Sequence, residues 1–146
     1  MTGPGPIEIA ILVLCIILSA FFSSSEAAFL SVQRTTRLAH LVQRGVPAAR
    51  KIAEMLEQPG RLLSTILLGN NLVNVAFTAV ITAVVLNMID DQRTGLLIAT
   101  ATGTTTLLLL GEIIPKTIAV RFPIGTAMRF TRPLRIVELA LLPLVI

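Results

Sequence analysis

Residues 7–32 read IEIAILVLCIILSAFFSSSEAAFLSV, and they decide the class of fold. Between Glu8 and Glu26 no residue carries a charge. At a rise of about 1.5 Å per residue, a helix over this stretch exceeds the ~20 residues that a hydrocarbon core demands. Yet Ser19-Ala-Phe-Phe-Ser-Ser-Ser-Glu26 places four hydroxyls and a carboxylate within it. An ionisable side chain in a span costs about 2.5–3.5 kcal/mol on insertion scales, so a carboxylate there is a functional candidate that needs polar company.

The rest of the chain follows the same pattern. Of 146 residues 54% are apolar and only 14% charged, too little charge to coat a globule of that size. Apolar blocks recur at about 62–89 and 95–120, each long enough to cross. The polar turn Asp90-Asp-Gln-Arg-Thr94 between them predicts an antiparallel helical hairpin. The chain therefore reads as an all-α integral membrane protein with three spans. No signal peptide is needed for the first run, which has neither a basic flank before it nor an Ala-x-Ala pattern after it.

The connection from Gln33 to Arg61 differs in character. It carries Arg34, Arg37, Arg44, Arg50, Lys51 and Arg61 against Glu54 and Glu57, and Gly45-Val-Pro47 breaks it. Leu38, Leu41 and Val42, then Ile52, Met55 and Leu56, recur at helical spacing and predict amphipathic juxtamembrane helices within about 34–58. An ordinary solvated helical hairpin is the plainer alternative. A further juxtamembrane helix is expected within about 123–146. Its last part, Leu134–Ile146, has 13 residues including Arg135, Glu138 and Pro143, too few to cross, and reads as interfacial or re-entrant. Positive-inside counting places the basic connection and the C-terminal stretch in the cytoplasm, with the N-terminus and the 90–94 turn outside. The abrupt apolar end at Ile146 leads to the expectation of a further cytoplasmic region.

Composition also excludes some functions. A net charge of +4 raises nucleic acid, but the basic residues flank spans, and six Phe with no Tyr or Trp make a poor stacking platform. Contacts to anionic lipid fit better. Cys15 is alone, so no internal disulfide or thiolate cluster is possible, and it reads as packing. No Ser–His–acid set, paired aspartates or His-Glu-x-x-His motif lies in the spans, so an enzyme is not expected.

Spacing sorts the polar residues within the spans. Ser19, Ser23 and Glu26 fall at i, i+4 and i+7. Asn70, Asn74 and Thr78 share a face of the second span, and Glu112 is aligned with Thr105 on the third. Three stripes with only each other to face predict a polar bundle core. Pro115 has no N–H for the carbonyl of Gly111, which is left free beside Glu112. Hydroxyl, amide, carboxylate and carbonyl oxygens without imidazole or thiolate select a hard cation: Mg²⁺, Ca²⁺, Mn²⁺ or Na⁺. Plainer readings stand beside this one. Ser23-x-x-Glu26 fits a capping box at a break in the first span. The asparagines fit interhelical hydrogen bonding alone. Glu112 fits an ion pair with Lys116, His40 a surface position, and Asp90 and Asp91 a turn.

Together, SAFFSSSEAAFLSV, LLGNNLVNV and GEIIPKTIA resemble the membrane domain of the CNNM/CorC family, over essentially the whole chain. The resemblance implies a homodimeric Mg²⁺ transporter, generally exporting Mg²⁺ in exchange for Na⁺, with cytoplasmic CBS domains after the membrane domain. It implies a Mg²⁺ site at Ser19, Ser23, Asn70, Gly111 and Glu112, in the motif that includes Pro115. Glu26 and Asn74, with the Thr-rich stretch, are secondary candidates for a Na⁺ site. No role carries over to Ser24 and Ser25, where much of the family has a small residue. A rival reading is a non-transporting membrane cation sensor or scaffold, whose polar core only pins the helices.

Overall fold

A computed structural model describes residues 3–33 and 35–145; Arg34 and Ile146, named above, lie outside the described residues. The described residues contain helices and no strands. In chain order these are α1 (Pro6–Gln33), α2 (Arg37–Gln43), α3 (Pro47–Leu56), α4 (Pro59–Met88), α5 (Gln92–Thr106), a π-helical segment (Leu107–Ile113), α6 (Ile114–Arg121) and α7 (Pro123–Val145). Among the described residues, three stretches are long and apolar enough to cross a membrane: α1, α4, and the run Gln92–Arg121 formed by α5, the π segment and α6.

Helix boundaries follow local chemistry. Proline opens α3, α4 and α7, where its missing N–H is one of the unpaired first-turn donors. The Asp91 carboxylate caps α5 by accepting from the Thr94 amide, which fixes the turn between the second and third spans. The basic connection forms the two short helices expected, α2 and α3.

One reading changes. α1 runs without interruption from Pro6 to Gln33, so Ser23 and Glu26 do not form a capping box at a break. From Pro123 to Val145 the chain forms one helix, α7, of 23 residues with Pro133 and Pro143 inside it. Internal prolines are tolerated when neighbouring helices hold the segment, and α7 packs along α1, α4 and α3. Its three arginines and Glu138 set it apart from the apolar spans.

α1 is the hub of the bundle, in contact with α4, the π segment, α6 and α7. Its first half leaves Ile7, Ile9, Val13 and Ile17 exposed, a face suited to acyl chains. Its second half buries Phe22, Ala28, Phe29 and Val32 against Ile52 and Met55 of α3, Leu62 and Ile66 of α4, and Ala127 and Leu134 of α7. The dry core therefore lies at the end where α2 and α3 connect α1 to α4. Phe21 adds an edge-to-face contact with Phe130 of α7, at 5.0 Å between ring centroids.

Helices in lipid have little hydrophobic drive toward each other, and close approach at small residues supplies packing instead. At Gly69 of α4, a Cβ would lie 2.5 Å from the Phe22 ring, so α1 rests directly on the α4 backbone there. This contact is one residue from both Ser23 and Asn70 and sets the register between the first two polar stripes.

Candidate cation site

The site is built around the Ser19 hydroxyl. Ser19 is fully buried on α1, and three carbonyl oxygens converge on its Oγ: Asn74 Oδ1 at 2.9 Å, Asn70 Oδ1 at 3.4 Å and the main-chain oxygen of Gly111 at 3.4 Å. A serine hydroxyl has one proton to donate. Among the described residues it is the side-chain donor to all three acceptors, and its single proton can satisfy only one of them at a time. Excess oxygen lone pairs in a membrane core are costly unless positive charge is shared among them.

Gly111 is essential to this geometry. A Cβ there would meet Ser19 Oγ at 2.8 Å and Ser19 Cβ at 3.3 Å, so only glycine admits α1 this close. Its carbonyl accepts from Ser19 Oγ at a point where Pro115, four residues on, cannot donate back to it. The surrounding turn is π-helical, with the amide of Ile114 donating to Leu109, five residues earlier.

Glu112 follows in the same turn, half-buried, and Asn74 Nδ2 lies 3.5 Å from its Oε1. Asn74 thus directs its oxygen to Ser19 and its nitrogen to the carboxylate, linking α1, α4 and the π segment. No Lys or Arg among the described residues lies within ion-pair distance of Glu112. An unpaired carboxylate beside surplus carbonyl oxygens is complementary to a hard cation. Among the described residues, no three His, Cys, Asp or Glu side chains gather as a metal cluster. The ligand set here is instead one carboxylate and several neutral oxygens.

Ser23, one turn further along α1, is fully buried, and its Oγ has no hydrogen-bond partner among the described residues. Buried hydroxyls nearly always find a partner, so an orphan next to this oxygen cluster calls for an explanation. A ligand atom or its water shell arriving at the site provides one. Ser25, by contrast, is accounted for by its bond to the Phe21 carbonyl at 2.8 Å. Ser24 is buried but makes no comparable contact with the site.

Several sequence-derived residues are placed differently. Lys116 lies 3.4 Å from Glu26 of α1, forming that ion pair instead of one with Glu112. Glu26 therefore already has a tethered cation and stands apart from the oxygen cluster. Asn74, ranked second, makes the shortest contact with Ser19; its position one turn after Asn70 was the available signal. Thr105 does not join Glu112: it is exposed, as are Thr100, Thr102 and Thr104. The wide π turn adds about one residue per turn, which rotates what precedes it by about 100° and breaks the seven-residue alignment. Thr78 continues the α4 stripe outward, exposed and donating to the Asn74 carbonyl at 2.9 Å.

This arrangement defines a helical membrane protein with an oxygen-lined polar centre shared by three spans. Residues 10–146 match the family model described as the cyclin M transmembrane N-terminal domain, and the chain belongs to that CNNM family. It is 42% identical over 109 residues to a UPF0053 protein of Haemophilus influenzae, covering 75% of this chain and 25% of that one. It is 36% identical over 128 residues to the UPF0053 inner membrane protein YfjD of Escherichia coli, covering 88% and 29%. A UPF0053 protein of Synechocystis, sll1254, is 31% identical over 129 residues, covering 87% and 36%. The chain thus spans roughly a quarter to a third of the length of these relatives.

Proposed function

We propose that this chain is the ion-binding membrane part of a Mg²⁺ transporter, carrying Mg²⁺ as substrate through a site shared by its three spans. The observation that carries the reading is the convergence of Asn70 Oδ1, Asn74 Oδ1 and the Gly111 carbonyl on Ser19, with Glu112 beside them, bonded by Asn74 and in no ion pair among the described residues. Glu112 supplies the charge. Ser19, Asn70, Asn74 and Gly111 supply neutral oxygens, and Ser23 holds a ligand water. Mg²⁺ dehydrates reluctantly and keeps several waters, so a site with one carboxylate suits it better than a site that must replace every water.

Export in exchange for Na⁺, action as a homodimer, and control by a cytoplasmic CBS region belong to the same proposal and rest on the family resemblance. So does residence in the cell's inner or plasma membrane, with the N-terminus outside and the C-terminus in the cytoplasm; the basic residues near the spans support this orientation. Na⁺ would share the Ser19–Asn74–Glu112 oxygens, since Lys116 already neutralises Glu26.

The test is Mg²⁺ flux into or out of proteoliposomes, with and without a Na⁺ gradient. Flux that depends on the gradient and is lost in Glu112→Gln supports the proposal. Absence of flux from folded protein under both conditions favours the sensor or scaffold reading.

A further inference from the structure

A second polar feature lies away from the cation site, between α3 and α7. There a half-open cavity of about 520 Å³ is walled by Lys51, Glu54 and Met55 of α3 and by Arg132, Arg135 and Ile136 of α7. Both walls are regular. Lys51, Glu54 and Met55 fall at i, i+3 and i+4, and Arg132, Arg135, Ile136 and Leu139 continue one face of α7. Behind the cavity, Glu138 is buried, 3.2 Å from Arg61 Nε and 3.8 Å from an Arg135 guanidinium nitrogen. Counting that pair with the wall, the site has an excess of two positive charges.

Donors in the cavity are cationic. Thr131, which also borders it, gives its proton to the Ala127 carbonyl at 2.6 Å and is left only as an acceptor. Lys51, Arg132 and Arg135 therefore do the recognising, and their fork and ammonium geometries suit phosphate oxygens. The apolar part points to the source of that phosphate. Ile136 and Leu139, on the same face as the arginines, are 68% and 57% exposed, and Met55 forms the cavity floor at 4%. A soluble anion would leave these side chains in water. An acyl chain would cover them, on a protein with three apolar spans.

We propose that this cavity binds the phosphate of an anionic phospholipid, with Lys51, Arg132 and Arg135 on the headgroup and the acyl chains along Ile136 and Leu139. The lipid clamps α3 to α7 at the end of the bundle that holds the dry core. This site is separate from the cation site and does not depend on the proposed transport.

The experiment measures lipid retention by native mass spectrometry and thermal stability of the full chain. The chain is titrated with dioleoyl phosphatidylglycerol, dioleoyl phosphatidylcholine or soluble glycerol phosphate. Expected is a saturable preference for phosphatidylglycerol, weakened about fivefold for each basic residue removed and about 25-fold in Lys51→Gln/Arg132→Gln. The charge-conserving Lys51→Arg/Arg132→Lys should retain the preference, and so should Arg93→Gln at the other end of the bundle. No preference between the two lipids overturns the proposal, as does an unchanged double variant or an equal loss in Arg93→Gln. Binding of glycerol phosphate as tight as that of the lipid overturns the assignment to a membrane lipid.

Discussion

Gly111→Ala isolates the contact on which the site depends. The added methyl would lie 2.8 Å from Ser19 Oγ and 3.3 Å from Ser19 Cβ, while Leu107 Cδ2 at 3.6 Å is in ordinary contact. Comfortable separation is roughly 3.5 Å, so α1 and the π segment must part by about 0.7 Å or Ser19 must leave its rotamer. Overpacking of this kind costs about 1–3 kcal/mol. Alanine's better helix propensity returns about 1 kcal/mol, for a net loss of roughly 0–2 kcal/mol. The effect on ion binding is larger in proportion, because Mg²⁺ tolerates little departure from about 2.0–2.1 Å to its ligands. The assay is thermal unfolding of the purified chain over a MgCl₂ series. Stabilisation by a bound ligand grows as RT ln(1 + [L]/Kd), about 2.7 kcal/mol at 100 Kd, so a tenfold weaker site is readily seen. The double variant Ser19→Ala/Gly111→Ala separates packing from binding. It removes the 2.8 Å contact but also the proton that Ser19 gives to the oxygens around it, so it should relieve the clash without restoring the Mg²⁺ response. Full Mg²⁺ stabilisation of Gly111→Ala, or its return in the double variant, would refute the reasoning.

Ser23→Ala deletes a buried hydroxyl that has no partner among the described residues, so stability without Mg²⁺ should hold or rise by up to about 1 kcal/mol while the Mg²⁺ response falls; a matching loss of both would make Ser23 a packing residue. Glu26→Gln removes the partner of Lys116 but not a site oxygen, so the midpoint of the Mg²⁺ titration should stay within about twofold, and a tenfold shift would return Glu26 to the site. Asp91 is the chain's acid-sensitive cap: the Thr94 hydroxyl and then its amide hold the carboxyl below its ordinary value. With the folded pKa depressed, the cap's contribution is complete above the unfolded value near ~3.9 and fades as pH falls through the lower folded value. Amide exchange at Thr94 and Gly95 should accelerate in that acid window and lose its pH step in Asp91→Asn.

The spans, the hairpin turn and the two short basic helices were legible because apolar block length and turn chemistry act locally. Ser19 and Asn70 were legible because spacing places each on a polar face of its own helix, and Gly111 because proline at 115 marks its carbonyl. Two features depend on information that spacing within one helix does not contain. The π turn between Leu107 and Ile113 rotates the threonines away from Glu112, and apolar residues alone do not announce it. Lys116 reaches across to α1, because a long side chain chooses among partners on neighbouring helices and not only four residues along its own. Asn74 falls between these cases. Its face was readable, but its central place required knowing that Gly69 lets Phe22 bring α1 onto α4.

The central claim is that one hard cation binds where Ser19, Asn70, Asn74, Gly111 and Glu112 meet. A high-resolution structure determined in Mg²⁺ tests it most directly. A single ion is expected near Ser19, with Glu112 and carbonyl oxygens from α4 and the π turn in its immediate or water-bridged shell, and metal–oxygen distances of about 2.0–2.1 Å. Distances of about 2.3–2.6 Å would assign the site to Ca²⁺ instead. An ion bound at Glu26, or a fully hydrogen-bonded Ser19 cluster that excludes the ion at saturating Mg²⁺, would contradict it.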